Sequence, residues 1–231
     1  MTRPSPEARS QRWRTLPWLI LALAIAGYVF WQGQRLFRAD ALSMAAARQV
    51  GLWASGASPL PTDTEWARAH EALLAARLVT PDNPVLHERL GDLHAVAGQR
   101  HWNDVELRNI SFKQAELHFR EALSLRPGDA QTWASLAVAL QGQGVVGAQM
   151  HQAWDKAMQL GPNEGFVQPM LLEIALASWG SATPQMQEWA QNYFTSSTPA
   201  QREVINKLAA RYGLAFVDTE NAVADSTNAK P

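Results

Sequence analysis

The sequence predicts an all-α protein, and three observations carry that prediction. Apolar residues recur at three- and four-residue steps through most of the 231-residue chain, as in Trp66, Ala69, Leu73 and Ala76. No run of alternating apolar and polar residues is long enough to make a strand. Pro81, Pro127 and Pro162 cut the periodic stretches, because proline inside a helix removes an amide and clashes with the preceding turn.

The first element is "TLPWLILALAIAGYVFWQG", residues 15–33, which holds no charged side chain. At about 1.5 Å rise per residue it approaches the roughly 30 Å of bilayer hydrocarbon. Trp13, Trp18, Tyr28 and Trp31 fall near its ends, where aromatic rings favour the membrane–water interface. Arg3, Arg9, Arg12 and Arg14 precede it and place residues 1–14 in the cytoplasm as a short tail. Arg35, Arg38 and Arg48 follow and weaken the asymmetry. A cleaved signal peptide is one competing reading, since "AIA" at 24–26 fits a cleavage site, yet apolar residues continue from Tyr28 to Trp31. A buried core helix is the other, and the flanking arginines and aromatics fit it poorly. An uncleaved transmembrane helix is the expectation.

Residues 34–54 continue as helix and "ASGASPLPTD" breaks it, so 34–61 reads as a helical extension and linker. The domain then runs over 62–215. Thr62 and Glu65 form a capping box that opens its first helix. "VLHERLGDLHAVAG" closes at Gly98, "FKQAELHFREALSLRP" follows, and a further helix carries Trp133, Leu136, Ala137 and Leu140. "QMHQAWDKAMQLGP" comes next, then helices over 165–179 and 184–195, and "PAQREVINKLAARY" stops at Gly213. Residues 216–231 are polar and predicted to be disordered.

The chain has no cysteine, which excludes disulfides, thiolate catalysis and cysteine metal sites. Of its 20 basic and 21 acidic side chains, four Arg and one Glu lie in residues 1–33, leaving 16 basic and 20 acidic beyond. A mildly acidic body argues against nucleic acid as a partner. His87, His94 and His101 are spaced by sevens; along one helix that separates them by about 10.5 Å each, too far to share a metal ion. Glu88 and Asp92 lie one helical turn apart, a spacing open to acid–base work and equally common on any solvated helix face. No phosphate loop, nucleophile elbow or kinase signature occurs. We therefore expect no catalytic residues, no metal site and no cofactor.

The joints between helices repeat. "EALLAARLVTPDN", "EALSLRPGD" and "KAMQLGPNE" each place an alanine five residues before the proline, at Ala76, Ala122 and Ala157, with Asn83, Asp129 and Asn163 nearby as caps for the next helix. Leu90-Gly91 and Leu136-Ala137 stand at equivalent places after two of them. Pro127 and Pro162 are 35 residues apart, and Pro81 and Pro127 are 46 apart. In these features residues 64–180 resemble the tetratricopeptide repeat family, whose period is about 34 residues. The resemblance implies a short, irregular superhelix of helical hairpins; a generic helical bundle is the alternative. Gly91, Ala115, Ala122, Ala137 and Ala157 would allow close helix approach, with Phe119, Trp133 and Trp154 filling the spaces between hairpins. His94 would take an aromatic packing place. Gln168, where an aromatic is expected, and Pro169, inside a helix, make the third repeat irregular.

The family resemblance also implies a peptide-binding groove on the first helices of the hairpins, here Val85, Glu88, Asp92, Gln131, Ala134, Val138, Met170 and Glu173. Such a groove would suit an apolar or basic segment, unless the terminal helix of the chain fills it. The longer joint places roughly 12 extra residues near 99–111, an insertion with apolar Trp102, Val105, Leu107 and Ile110. This segment reads either as a partner-docking site or as a patch folded back on its own core. Together these features predict a single-pass protein of a bacterial inner membrane with its carboxy-terminal domain in the periplasm. It would touch lipid through residues 15–33 and bind protein partners as a non-catalytic scaffold in an envelope complex. By resemblance of architecture, polysaccharide synthesis and export come first among the settings, with cytochrome c maturation and pilus assembly beside them. A helical small-molecule, lipid-binding or enzymatic domain is the competing class.

Overall fold

The computed structural model describes residues 6–216, and among these residues there are nine α-helices and no strand. The expected tail at 216–231 therefore lies, after Phe216, outside the described residues.

Helix α1, Pro6–Ala54, runs without a break through the apolar segment and through the stretch expected to be an extension. One stretch of it, Trp18–Ala41, is long and apolar enough to cross a membrane. Residues 18–31 are exposed all round, whereas Ala39, Ser43, Ala46, Val50 and Trp53 are buried. Their spacing alternates between four and three residues, which keeps one stripe facing one neighbour. Residues 39–53 thus belong to the same folded body as the rest, and the linker reading of 34–61 holds only for the turn after Ala54. Gly56, with φ of 70°, makes that turn.

Helix α2, Asp63–Val79, returns along α1 from the predicted Thr62–Glu65 capping box. Then come α3, Pro84–Arg100; α4, Val105–Leu125; α5, Ala130–Gly142; α6, Ala148–Leu160; α7, Val167–Ala177; α8, Pro184–Ser196; and α9, Pro199–Ala210. Neighbouring helices pair as hairpins α1/α2, α3/α4, α5/α6 and α7/α8. Odd-numbered helices touch in the order α1, α3, α5, α7, and each of α2, α4 and α6 also packs on the odd-numbered helix after it. The result is a row of hairpins with one layer of odd-numbered helices.

Small residues make these approaches possible. A methyl group placed on Gly91 would lie 2.5 Å from Phe119, and one on Gly98 or Gly142 would lie 2.7 or 2.5 Å from Phe112. The two phenylalanines of α4 thus seat in glycine notches on α3 and α5. Ala76, Ala115, Ala122, Ala137 and Ala157 are all fully buried. Trp154 is fully buried too, and its indole N–H donates to the carbonyl of Leu171 at 3.0 Å. Complete burial of each such large ring contributes about 1.5–3 kcal/mol.

The three proline joints share one further contact. The side chain six residues after the proline bonds to that proline's carbonyl: His87 Nε2 to Pro81 at 3.1 Å, Trp133 Nε1 to Pro127 at 2.9 Å, and Gln168 Nε2 to Pro162 at 2.9 Å. Gln168 therefore makes the same bond as Trp133 and His87 without an aromatic ring. Pro169 falls in the first turn of α7, where amides have no intrahelical acceptor, and the helix forms around it. Asn83 and Asp129 cap α3 and α5 as expected, but Asn163 does not cap α7, which starts at Phe166 without a side-chain cap.

The insertion near 99–111 is not a loop. Helices α3 and α4 are 17 and 21 residues long against 13 for each of α5 and α6, and only residues 101–104 connect them. The extra residues extend the arms of one hairpin.

Candidate partner-binding surfaces

The layer of odd-numbered helices presents two small hollows. Glu88, Asp92 and Gln131 line one of about 40 Å³, together with Arg126 and Thr132. Asp92, Val138 and Met170 line the next, of about 80 Å³, beside Ala54 at the end of α1. The structure therefore brings together five of the groove residues read from the sequence. It does not bring the other three: Ala134 is fully buried, and Val85 and Glu173 are exposed but line neither hollow. Helix α9 packs on α8 and fills neither hollow.

The acids of this face are already engaged. Glu88 accepts from Arg126 and, at 3.1 Å, from the Thr132 hydroxyl, while Arg126 also pairs with Asp129 at 2.8 Å. Asp92 pairs with Arg89 at 3.2 Å. Burial pushes its carboxyl up to about 6, against the pull of Arg89. Glu173 accepts from the Tyr212 hydroxyl at 3.2 Å, and burial followed by that carboxylate raises the tyrosine to about 12. The face expected to hold an apolar or basic segment thus shows only two small hollows, and its carboxylates Glu88, Asp92 and Glu173 are paired within the chain.

The far end of the α3/α4 hairpin is different. Trp102 is 56 % exposed, and Val105, Leu107 and Ile110 are exposed along the first turns of α4. Arg108 lies against the indole, with its guanidinium 5.2 Å from the ring and one N–H donating to the Trp102 carbonyl at 3.3 Å. Trp102 does not fold back over the core.

Two features escape the sequence reading. The first is a row of rings across α2, α3 and α4: Trp66 stacks on His70 at 4.7 Å, His70 meets His94 at 5.4 Å, His94 stacks on His118 at 5.5 Å, and His118 meets His87 at 5.7 Å. His94 does take a packing place among aromatic rings. Burial, then the neighbouring histidines, lowers His94 to about 4; burial, then His87 and Arg77, lowers His118 to about 4. Uncharged rings can stack at this distance, whereas protonated ones would repel. His101 lies apart and bonds the Ala97 carbonyl through Nδ1 at 2.9 Å. Among the described residues no group of three or more His, Asp or Glu side chains is arranged to hold a metal ion. The signal for the row was His70 and His118, which stand 24 residues before and after His94 on different helices, a spacing that no single-helix pattern picks out.

The second is an apolar hollow of about 350 Å³ between α7, α8 and α9, lined by Leu172, Tyr193, Val204, Ile205 and Leu208 among others. It falls outside the residues expected to bind. Comparison of the chain with protein-family models gives no match, and comparison with curated proteins gives none either.

Proposed function

We propose that this protein is a non-catalytic interaction scaffold, held in a bacterial inner membrane by α1 and carrying a tetratricopeptide-like row of hairpins on the periplasmic side. The repeated bond from a side chain to the joint proline carbonyl supports the repeat reading, because a generic bundle has no reason to place it three times in register. The exposed apolar tip of the α3/α4 hairpin carries the binding reading: Trp102 is the residue type enriched at interface centres, and the chain leaves it uncovered. An envelope assembly system is the setting this layout fits, with polysaccharide synthesis and export ahead of cytochrome c maturation and pilus assembly.

Affinity capture of the full chain from solubilised membranes, followed by mass spectrometry, tests the proposal. The complex should be lost with Trp102→Ala while the membrane-inserted protein stays at normal abundance; an unchanged complex removes the tip from the binding surface. Orientation is checked by a periplasm-dependent reporter fused after Pro231, which should be active. Activity of a cytoplasm-dependent reporter alone reverses it.

The hollow between α7, α8 and α9 favours a second reading, a binding site for an apolar small molecule or lipid chain, since its volume reaches the range of ligand pockets. Native mass spectrometry after gentle extraction should then show a bound lipid that Leu172→Trp displaces.

A further inference from the structure

We propose that the α2–α3 joint is a second membrane contact, with Leu78 inserted among the lipid headgroups, so that the domain sits directly on the bilayer and does not swing above it. The proposal rests on the reading of α1 as a membrane span.

Three observations place the joint. Helix α1 continues without a break from the apolar stretch into the folded body, so no flexible linker separates membrane from domain. The uncharged segment ends at Gly33, and Arg35 and Phe37 follow it by about 3 and 6 Å along the axis. The headgroup layer on one side of a bilayer is roughly 5–7 Å thick, so both residues lie within it. Arg35 then fixes the joint to this level: its Nε and Nη2 donate to the carbonyl of Val79 at 3.1 and 2.7 Å, across 44 residues of sequence. Its guanidinium also lies 5.0 Å from the Trp31 ring, an aromatic at the same boundary.

Leu78 is the residue before that carbonyl, and it is 83 % exposed. An isolated leucine in water needs no explanation, but the Arg35–Val79 bonds hold this one near the level along α1 of two other exposed apolar side chains, Phe37, 74 % exposed, and Leu36. A lipid surface covers all three at once. The charges nearby do not select a strongly anionic surface: Arg35, Arg38 and Arg77 face Asp40 and Asp82, a balance of only one positive charge. The contact is apolar insertion rather than charge attraction.

The lack of any cysteine makes the test direct. Single Leu78→Cys, Leu107→Cys and Ala24→Cys variants of the full chain are labelled with a small polarity-sensitive fluorophore. They are reconstituted in phosphatidylethanolamine–phosphatidylglycerol vesicles, with nitroxide lipids labelled at the headgroup or deep in the chain. The Ala24 label should be quenched by the deep nitroxide, which checks the span by itself. The Leu78 label should be quenched by the headgroup nitroxide at least about twofold more than the Leu107 label at the opposite end of the domain, since contact quenching requires a place in the headgroup layer. An Ala24 label that the deep nitroxide does not quench overturns the span reading and this proposal with it. Quenching at Ala24, with Leu78 as water-accessible as Leu107, overturns the seat alone. A Leu78 label shielded from aqueous iodide yet untouched by nitroxide lipid also overturns it, and assigns the joint to a protein neighbour.

Discussion

The two ends of the α3/α4 hairpin are built from the same pair of helices and solve opposite problems. At the base, Gly91 admits Phe119, Glu88 is held by Arg126 and Thr132, and His87 bonds the Pro81 carbonyl. The charged and hydrogen-bonding side chains named there find partners within the chain, and Phe119 is fixed by close packing. At the tip, Trp102, Val105, Leu107 and Ile110 are exposed, with Arg108 over the indole. The close contacts gather at the base, where α3 and α4 pack on each other and Thr132 of α5 joins them, and the exposed tip lies beyond these contacts. Changes at the base should therefore cost stability, while changes at the tip should cost association.

The largest effect tests the base. Gly91→Leu forces a branched side chain into the Phe119 ring and should destabilise the protein by about 3 kcal/mol, read as a lower denaturant midpoint with unchanged slope. A loss under about 0.5 kcal/mol would mean that the notch is not a tight contact, and the comparison would fail at its stronger end.

Acid should loosen the same hairpin from its α2 side. His94 and His118 titrate near 6.5 when unfolded but are held at about 4 when folded, so the unfolded chain binds more protons as pH falls from about 6.5 to 4. Stability from these two groups is complete above pH 6.5 and declines through that window. Asp92 works the other way: its ordinary value of 3.8 is raised to about 6, so the folded state takes up its proton first and gains between about pH 6 and 3.8. Two histidines outweigh one aspartate. Because solvent screens the half-buried His118, the net loss between pH 7 and 5 should be about 1 kcal/mol, and His94→Phe should remove at least half of the histidine part. Thermal midpoints at both pH values measure it; a pH-independent midpoint would break the link between ring stacking and neutrality.

Smaller still is the joint network. Arg126 is nearly half exposed, so solvent discounts its pairs with Glu88 and Asp129, and Arg126→Ala should cost about 1 kcal/mol. A double-mutant cycle with Glu88→Gln should show coupling of about that size or less.

What the sequence made legible follows from what is local. The helix joints were readable because proline, its preceding alanine and the following cap act within a few residues, and Ala76, Ala122 and Ala157 are buried where that spacing put them. The apolar length of α1 was readable for the same reason. Its second half was not: the stripe from Ala39 to Trp53 is rich in alanine and serine, too weakly apolar to announce a buried face. The inner-face residues were placed by family geometry, which gives a direction for each helix but not the ion pairs that close the face. Glu88 meets Arg126 across 38 residues, and no short-range pattern encodes that meeting. The insertion was visible as a broken period, yet period alone does not distinguish a loop from two longer helices. Asp104 settles that by accepting from the amides of Glu106 and Leu107, which starts α4 at Val105, seven residues before Phe112.

The smallest effect on stability belongs to the tip, and it sharpens the comparison most. Leu107 and Ile110 are 44 % and 53 % exposed, so replacing both by serine removes apolar surface that water already reaches. Serine lowers helix propensity only slightly at each site, and neither residue lines a hollow or joins a core cluster. The double variant Leu107→Ser, Ile110→Ser should change unfolding free energy by no more than about 1 kcal/mol, at most about a third of the Gly91→Leu effect. Co-purification with the complex should nevertheless fall sharply, because a desolvated apolar centre supplies most of the energy at an interface. A variant that unfolds as readily as Gly91→Leu would place the tip inside the core. One that folds normally and still captures its partner in full would leave the apolar tip without a role in association.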